Sequence, residues 1–186
     1  MVENAWMPCW SGDGRWLYFR SLADPSGNIQ KLPIDGGSPV LVRSEAGAGQ
    51  PAVLADGSGL YYVMPLRATV FGVWGADHEI RCARPEDGPF ETIGHISGGR
   101  VAIAPIMLHI TLSPDGRWLA VPLSDGATSN IWVLPTGGGP MTPITDFGER
   151  SVVIARNVSW SQDSQHVYAA VTETETDIVL FRRFIF

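Results

Sequence analysis

Four histidines, two cysteines and a single lysine are the residues from which catalysis or metal binding would most readily be built in this chain of 186 residues. The histidines stand at positions 78, 95, 109 and 166. No pair has the i, i+4 helical spacing or the short strand spacing that converges two imidazoles on one ion. His78, between Asp77 and Glu79, is the most suggestive, and reads as a solvated residue where a loop enters a strand. His109 lies in the apolar stretch from Ile106 to Leu112 and reads as a half-buried strand residue. Cys9 and Cys82 also sit in apolar stretches and read as buried free thiols, since a zinc site needs four ligands at tight spacing. A nucleophile elbow of the form Gly-x-Ser-x-Gly is absent, as is a phosphate loop, and Lys31 is the only lysine. Gly12-x-Gly14 lacks the third glycine and the helix of a dinucleotide fingerprint. The expectation is a protein that is not an enzyme and has no catalytic residue, cofactor or metal.

Four aspartates, at 13, 56, 115 and 163, could pass for paired catalytic carboxylates. Their context says otherwise. Each lies at the same place in a repeated motif: Trp10-Ser-Gly-Asp-Gly-Arg-Trp-Leu-Tyr-Phe19, Val53-Leu-Ala-Asp-Gly-Ser-Gly-Leu-Tyr-Tyr62, Leu112-Ser-Pro-Asp-Gly-Arg-Trp-Leu-Ala-Val121 and Trp160-Ser-Gln-Asp-Ser-Gln-His-Val-Tyr-Ala169. A second motif follows every copy, with Ile29, Ile80, Ile131 and Ile178 at its centre, 51, 51 and 47 residues apart. Four equivalent positions call for four equivalent structural roles. Asp13-Gly14, Asp56-Gly57 and Asp115-Gly116 read as hairpin turns, because glycine accepts a positive φ and aspartate hydrogen-bonds its own turn. Asp163 is followed by Ser164 instead, which should weaken that turn.

The elements that carry these turns are strands. Arg15–Phe19 and Arg117–Val121 are rich in aromatic and aliphatic residues, and the second motif is a further strand ending in a Gly- or Pro-rich turn. Each unit of about 45 residues offers four antiparallel strands, and such sheets bury both faces when packed round an axis as a β-propeller. The reading is all-β, four blades of four strands over residues 5–46, 47–97, 98–148 and 149–186, either self-closed or part of a larger ring, with almost no helix. Trp10 with Trp160, Trp16 with Trp118, and Trp132 recur with the repeat and read as inter-sheet packing. Trp6 and Trp74 fall outside it; with His78 they are candidate partner contacts.

Composition agrees. Gly (21) and Pro (14) are abundant, 45% of residues are apolar, and only 17% are charged. A net charge of −6 with scattered basic residues argues against nucleic acid. Neither a signal peptide nor an apolar run long enough to cross a bilayer is evident, so a soluble chain without membrane insertion is expected.

The third unit, with Ser113-Pro114-Asp115-Gly116-Arg117, then Asn130-Ile131-Trp132-Val133 and Gly137-Gly138-Gly139, resembles the WD40-like repeat of TolB-type propellers. The resemblance extends over nearly the whole chain. It implies a bacterial protein-binding scaffold with a protein partner of unstated identity, or a homodimer completing a larger ring. It also admits the gating propeller of a prolyl-oligopeptidase-type peptidase, the sensor domain of a bacterial regulator, or small-ligand binding in the central channel. A periplasmic location would follow from TolB if an export signal were missing from the sequence; a cytoplasmic one would follow otherwise.

Overall fold

In the computed structural model the described residues are 3–23, 28–45, 47–66, 77–97, 108–125, 128–173 and 176–182. Trp74 lies outside them. They form strands and turns, with no helix among them. The first sheet is β1 (Ala5–Trp10), β2 (Trp16–Ser21), β3 (Asn28–Pro33) and β4 (Val40–Arg43), in that spatial order. The second is β5 (Pro51–Val53), β6 (Leu60–Pro65), β7 (His78–Ala83) and β8 (Phe90–Ile96). The third is β9 (Thr111–Leu112), β10 (Trp118–Asp125), β11 (Thr128–Pro135) and β12 (Thr142–Pro143). The fourth has three strands among the described residues, β13 (Val153–Trp160), β14 (His166–Thr172) and β15 (Thr176–Arg182). Every pairing is antiparallel between consecutive strands, so the sheets are meanders and the architecture is a four-bladed propeller arrangement.

Alternation along the strands explains the stacking. On β2, Trp16 and Tyr18 face the second sheet; on β6, Leu60 and Tyr62 face back and Tyr61 and Val63 face on to the third. Three buried clusters result. Tyr18, Ile29, Leu60 and Tyr62 join sheets one and two; Tyr61, Ile80, Leu119 and Leu134 join two and three; Ala120, Ile131, Val158 and Val167 join three and four. Among the described residues no such cluster joins the fourth sheet to the first.

The tryptophans divide by position. Trp16, Trp118, Trp132 and Trp160 pack against these clusters, and the Trp160 indole also donates to the Thr111 carbonyl at 3.1 Å. Trp10 departs from the expectation of inter-sheet packing. It is paired with Leu17 on the far side of the first sheet and is 58% exposed, because no sheet among the described residues packs on that side. No helix among the described residues is long and apolar enough to cross a membrane.

Candidate functional site

Three of the four hairpins share one hydrogen-bond relay. The Ser11 hydroxyl donates to Asp13 Oδ1 at 2.6 Å, the Arg15 amide donates to the same oxygen at 3.0 Å, and the Trp16 amide donates to Ser11 Oγ at 2.9 Å. Ser113, Asp115, Arg117 and Trp118 repeat it, as do Ser161, Asp163, Gln165 and His166. In the second sheet Leu54 replaces the first serine, and Ser58 donates to Asp56 through both its amide and its hydroxyl. Gly14, Gly57 and Gly116 have φ of 69°, 70° and 75°, the left-handed conformation that glycine adopts freely. The Ser11 hydroxyl, followed by the Arg15 amide, holds the pKa of the Asp13 carboxyl below its ordinary value; the Ser58 amide and hydroxyl do so for Asp56. Each aspartate is thereby fixed as a charged hairpin residue, as its repetition indicates.

Two of these hairpins border a cleft. Gly12 lies so close to Ala55 that any side chain there would strike the Ala55 carbonyl, and this contact sets the first and second hairpins side by side. Between them opens a cleft of about 190 Å³, with Asp13, Trp16, Tyr18, Lys31, Asp56 and Glu86 in its wall. Lys31, on β3, projects from the side of the sheet that bears Ile29. Its ammonium lies 4.5 Å from the centre of the Trp16 ring and pairs with Glu86, which also accepts from the Tyr18 hydroxyl. Burial first, and then the Glu86 carboxylate, push the pKa of the Tyr18 phenol well above its ordinary value. Tyr18 therefore stays protonated and acts as a donor. Arg43 reaches across to the Gly88 carbonyl at 2.5 Å and anchors the turn that carries Glu86.

The cleft departs from the pattern of the repeat. The positions corresponding to Lys31 are Cys82 and Val133, both buried, and that of Tyr18 in the third sheet is the fully buried Ala120. Where the third sheet packs an apolar pair against its neighbour, the first holds a tyrosine, a lysine and a borrowed glutamate. Three carboxylates and one ammonium line the space, with Trp16 as its aromatic wall. Such a wall suits a cation.

Other sequence candidates fall elsewhere. Asp115, Gly116 and Asp163 occupy the next two hairpins and do not border the cleft. Trp6, in β1, is 43% exposed. His78 stands where a loop enters a strand, as the first residue of β7, but the expectation of a solvated partner contact is corrected: it is 2% exposed and paired across the sheet with Pro65 and Ile96. Lys31, Glu86 and Tyr18 were not among the sequence candidates, although Lys31 breaks an otherwise apolar motif position and is the only lysine of the chain.

Among solved structures, TolB from Acinetobacter baumannii superposes over 98% of this chain and 44% of its own, with a TM-score of 0.68 and 15% identity. The fold is that of a TolB-type β-propeller. A putative TolB from Agrobacterium tumefaciens matches 89% of this chain and 53% of its own, at a TM-score of 0.67 and 19% identity. A prolyl endopeptidase matches 94% of this chain and 26% of its own, at 0.62 and 16%. The chain thus spans about half the length of the TolB structures it matches. No protein-family model and no curated protein matches the sequence.

Proposed function

We propose that this TolB-like propeller is a non-catalytic module that holds a protein partner, and that the cleft between its first two hairpins receives a basic side chain of that partner. The observation that carries this reading is the composition of the cleft wall: Asp13, Asp56 and Glu86 against Lys31 alone, beside Trp16. Lys31 and Glu86 neutralise each other, which leaves the charge of the two hairpin aspartates toward the opening. Both are held ionised by their turns. An incoming guanidinium would gain two carboxylates and an aromatic face.

The reading also takes the outer faces of the first and fourth sheets as association surfaces, covered by a second copy of the chain. Trp10 and Leu41 on the first and Val153 and Tyr168 on the fourth are exposed. Apolar faces of this kind mark association surfaces.

The test is binding of a fluorescent arginine-containing peptide, read by anisotropy, against the same peptide with arginine replaced by citrulline. The double variant Asp13→Asn/Asp56→Asn keeps the turn chemistry, since Asn-Gly suits the same hairpin. Loss of about tenfold in affinity on either change is expected, equivalent to about 1.4 kcal/mol. Equal binding of both peptides to the native protein would remove the proposal.

A further inference from the structure

One contact recurs in the three internal interfaces. Alternation along the second strand of each sheet turns one residue toward the sheet before and the next toward the sheet after. The residues facing back form a row across three strands: Val53, Leu60 and Ala83 in the second sheet, and Leu112, Leu119 and Leu134 in the third. Trp160 and Val167 start the same row in the fourth. The residue facing forward is Tyr18 in the first sheet, Tyr61 in the second and Ala120 in the third. Tyr18 shares a buried cluster with Val53, Leu60 and Ala83. Tyr61 shares the next with Leu119 and Leu134, with Leu112 at its margin. Ala120 shares the last with Val167, with Trp160 at its margin. The forward residue of each sheet thus joins the backward row of the next.

Both halves of this contact are left over at the two ends of the series. The first sheet carries a backward row in the same register, with Trp10 paired to Leu17 and Leu17 to Leu32. Among the described residues no sheet precedes it, and Trp10 is 58% exposed. Leu17 and Leu32 are half-buried, whereas the corresponding Leu60, Ala83, Leu119 and Leu134 are buried. Phe19, one step further along β2 on the same face, is buried, so the open part of the face is its hairpin end. The fourth sheet carries the forward residue. Tyr168 is the third residue of β14, as Tyr18 is of β2, and its neighbours Val167 and Ala169 point back into the third sheet. Tyr18 and Tyr61 are 3% and 0% exposed, while Tyr168 is 43% exposed. Ala170 lies open at a position where Arg20, Val63 and Pro122 are buried.

The first sheet therefore presents a socket and the fourth sheet the residue that fills such a socket elsewhere in the chain. We propose that Tyr168 of one copy seats on Trp10, Leu17 and Leu32 of a second copy, so that the fourth sheet of one is followed by the first sheet of the other as sheets follow one another within the chain. The inference rests on the association of uncovered faces argued above and adds its direction: two different faces meet, rather than one face and its own image. Two copies joined at both ends form a closed ring.

The test is light scattering of two variants of the full chain, alone and mixed. Trp10→Asp spoils the row of the first sheet, and Tyr168→Asp spoils the face of the fourth. Both side chains are exposed, and far-UV circular dichroism checks that each variant keeps its strands. A variant that loses them is replaced by Trp10→Ser or Tyr168→Ser. The native protein should show twice the chain mass of 20.1 kDa, and each variant alone the mass of one chain. An equal mixture should return toward two chains, because the intact fourth sheet of one variant meets the intact first sheet of the other. Native masses that rise beyond two chains with concentration support the same contact without closure of the ring. A variant that stays at two chains by itself shows a face pairing with its own image; it overturns the direction and leaves the association standing. Folded variants whose mixture stays at one chain overturn the inference, and a native protein at the mass of one chain overturns the inference and the association together.

Discussion

The backbone amide of Asp115 donates a hydrogen bond of 3.1 Å to the side-chain oxygen of Ser164, 49 residues along the chain. It ties the third hairpin to the fourth. Ser164 stands where the other hairpins have glycine and has a φ of 59°. A non-glycine residue in that conformation costs about 1 kcal/mol, and a hydrogen bond returns about as much. The weak turn expected from Asp163-Ser164 is thus also a link between sheets. Ser164→Ala keeps the strained backbone and loses the bond, so denaturant unfolding should show a loss of about 1 kcal/mol. Ser164→Gly loses the bond and the strain together and should lie within about 0.5 kcal/mol of the native protein.

Gly12→Ala should be more damaging than its exposed position suggests. The added methyl group meets the backbone of Ala55 in the neighbouring hairpin. Since a carbonyl cannot rotate away as a flexible side chain can, the two sheets must shift apart, at a cost of about 1–3 kcal/mol. A lowered denaturation midpoint, with altered Trp16 fluorescence, is the expected readout.

Removing Glu86 should destabilise through what it leaves behind. Lys31 and the Tyr18 hydroxyl both lose their partner in a half-buried setting. Glu86→Ala should cost about 1–3 kcal/mol by chemical denaturation. The pair Lys31→Met with Glu86→Leu should recover part of this, because the third sheet packs the fully buried Val133 at the place of Lys31.

Acid should weaken the hairpins. Asp13, Asp56 and Asp163 are held below the ordinary value of 3.8: Asp13 and Asp163 first by the Ser11 and Ser161 hydroxyls, Asp56 first by the Ser58 amide. The unfolded chain binds these protons more readily than the folded one, so their contribution is full above 3.8 and is lost as pH falls through the lower folded values. Denaturation midpoints measured between about pH 6 and pH 2 should fall most steeply below about pH 4. Asp163→Asn should flatten that fall.

Association is expected through the uncovered sheet faces. Light scattering should give about 40 kDa, twice the chain mass of 20.1 kDa. Trp10→Ser should return the particle toward the mass of one chain, by removing the most exposed large side chain of the outer face.

The fold was legible in the sequence because its strongest signal is periodic. An aspartate turn between two apolar runs, Asp-Gly in three copies and Asp163-Ser164 in the fourth, defines a hairpin, and four hairpins define four sheets. The relay from Ser11 to Asp13 to Arg15 adds the reason that serine accompanies the aspartate. The cleft was less legible because it depends on departures from the repeat. Lys31 gains its meaning from Glu86, 55 residues on and in a neighbouring sheet. His78 misled for a related reason: its charged neighbours Asp77 and Glu79 look like a loop, whereas alternation along β7 turns the imidazole inward.

Among the described residues each buried cluster joins one sheet only to the next in sequence. Such a chain is a row of nearest-neighbour couplings, in which the middle sheets are held from two sides and the terminal ones from one. Amide protons should therefore exchange fastest in the first and fourth sheets and slowest around Tyr61, Ile80 and Leu119, in the interface between the two middle sheets. A ligand that clamps the first sheet to the second through the hairpin cleft would secure the row at one of its fraying ends.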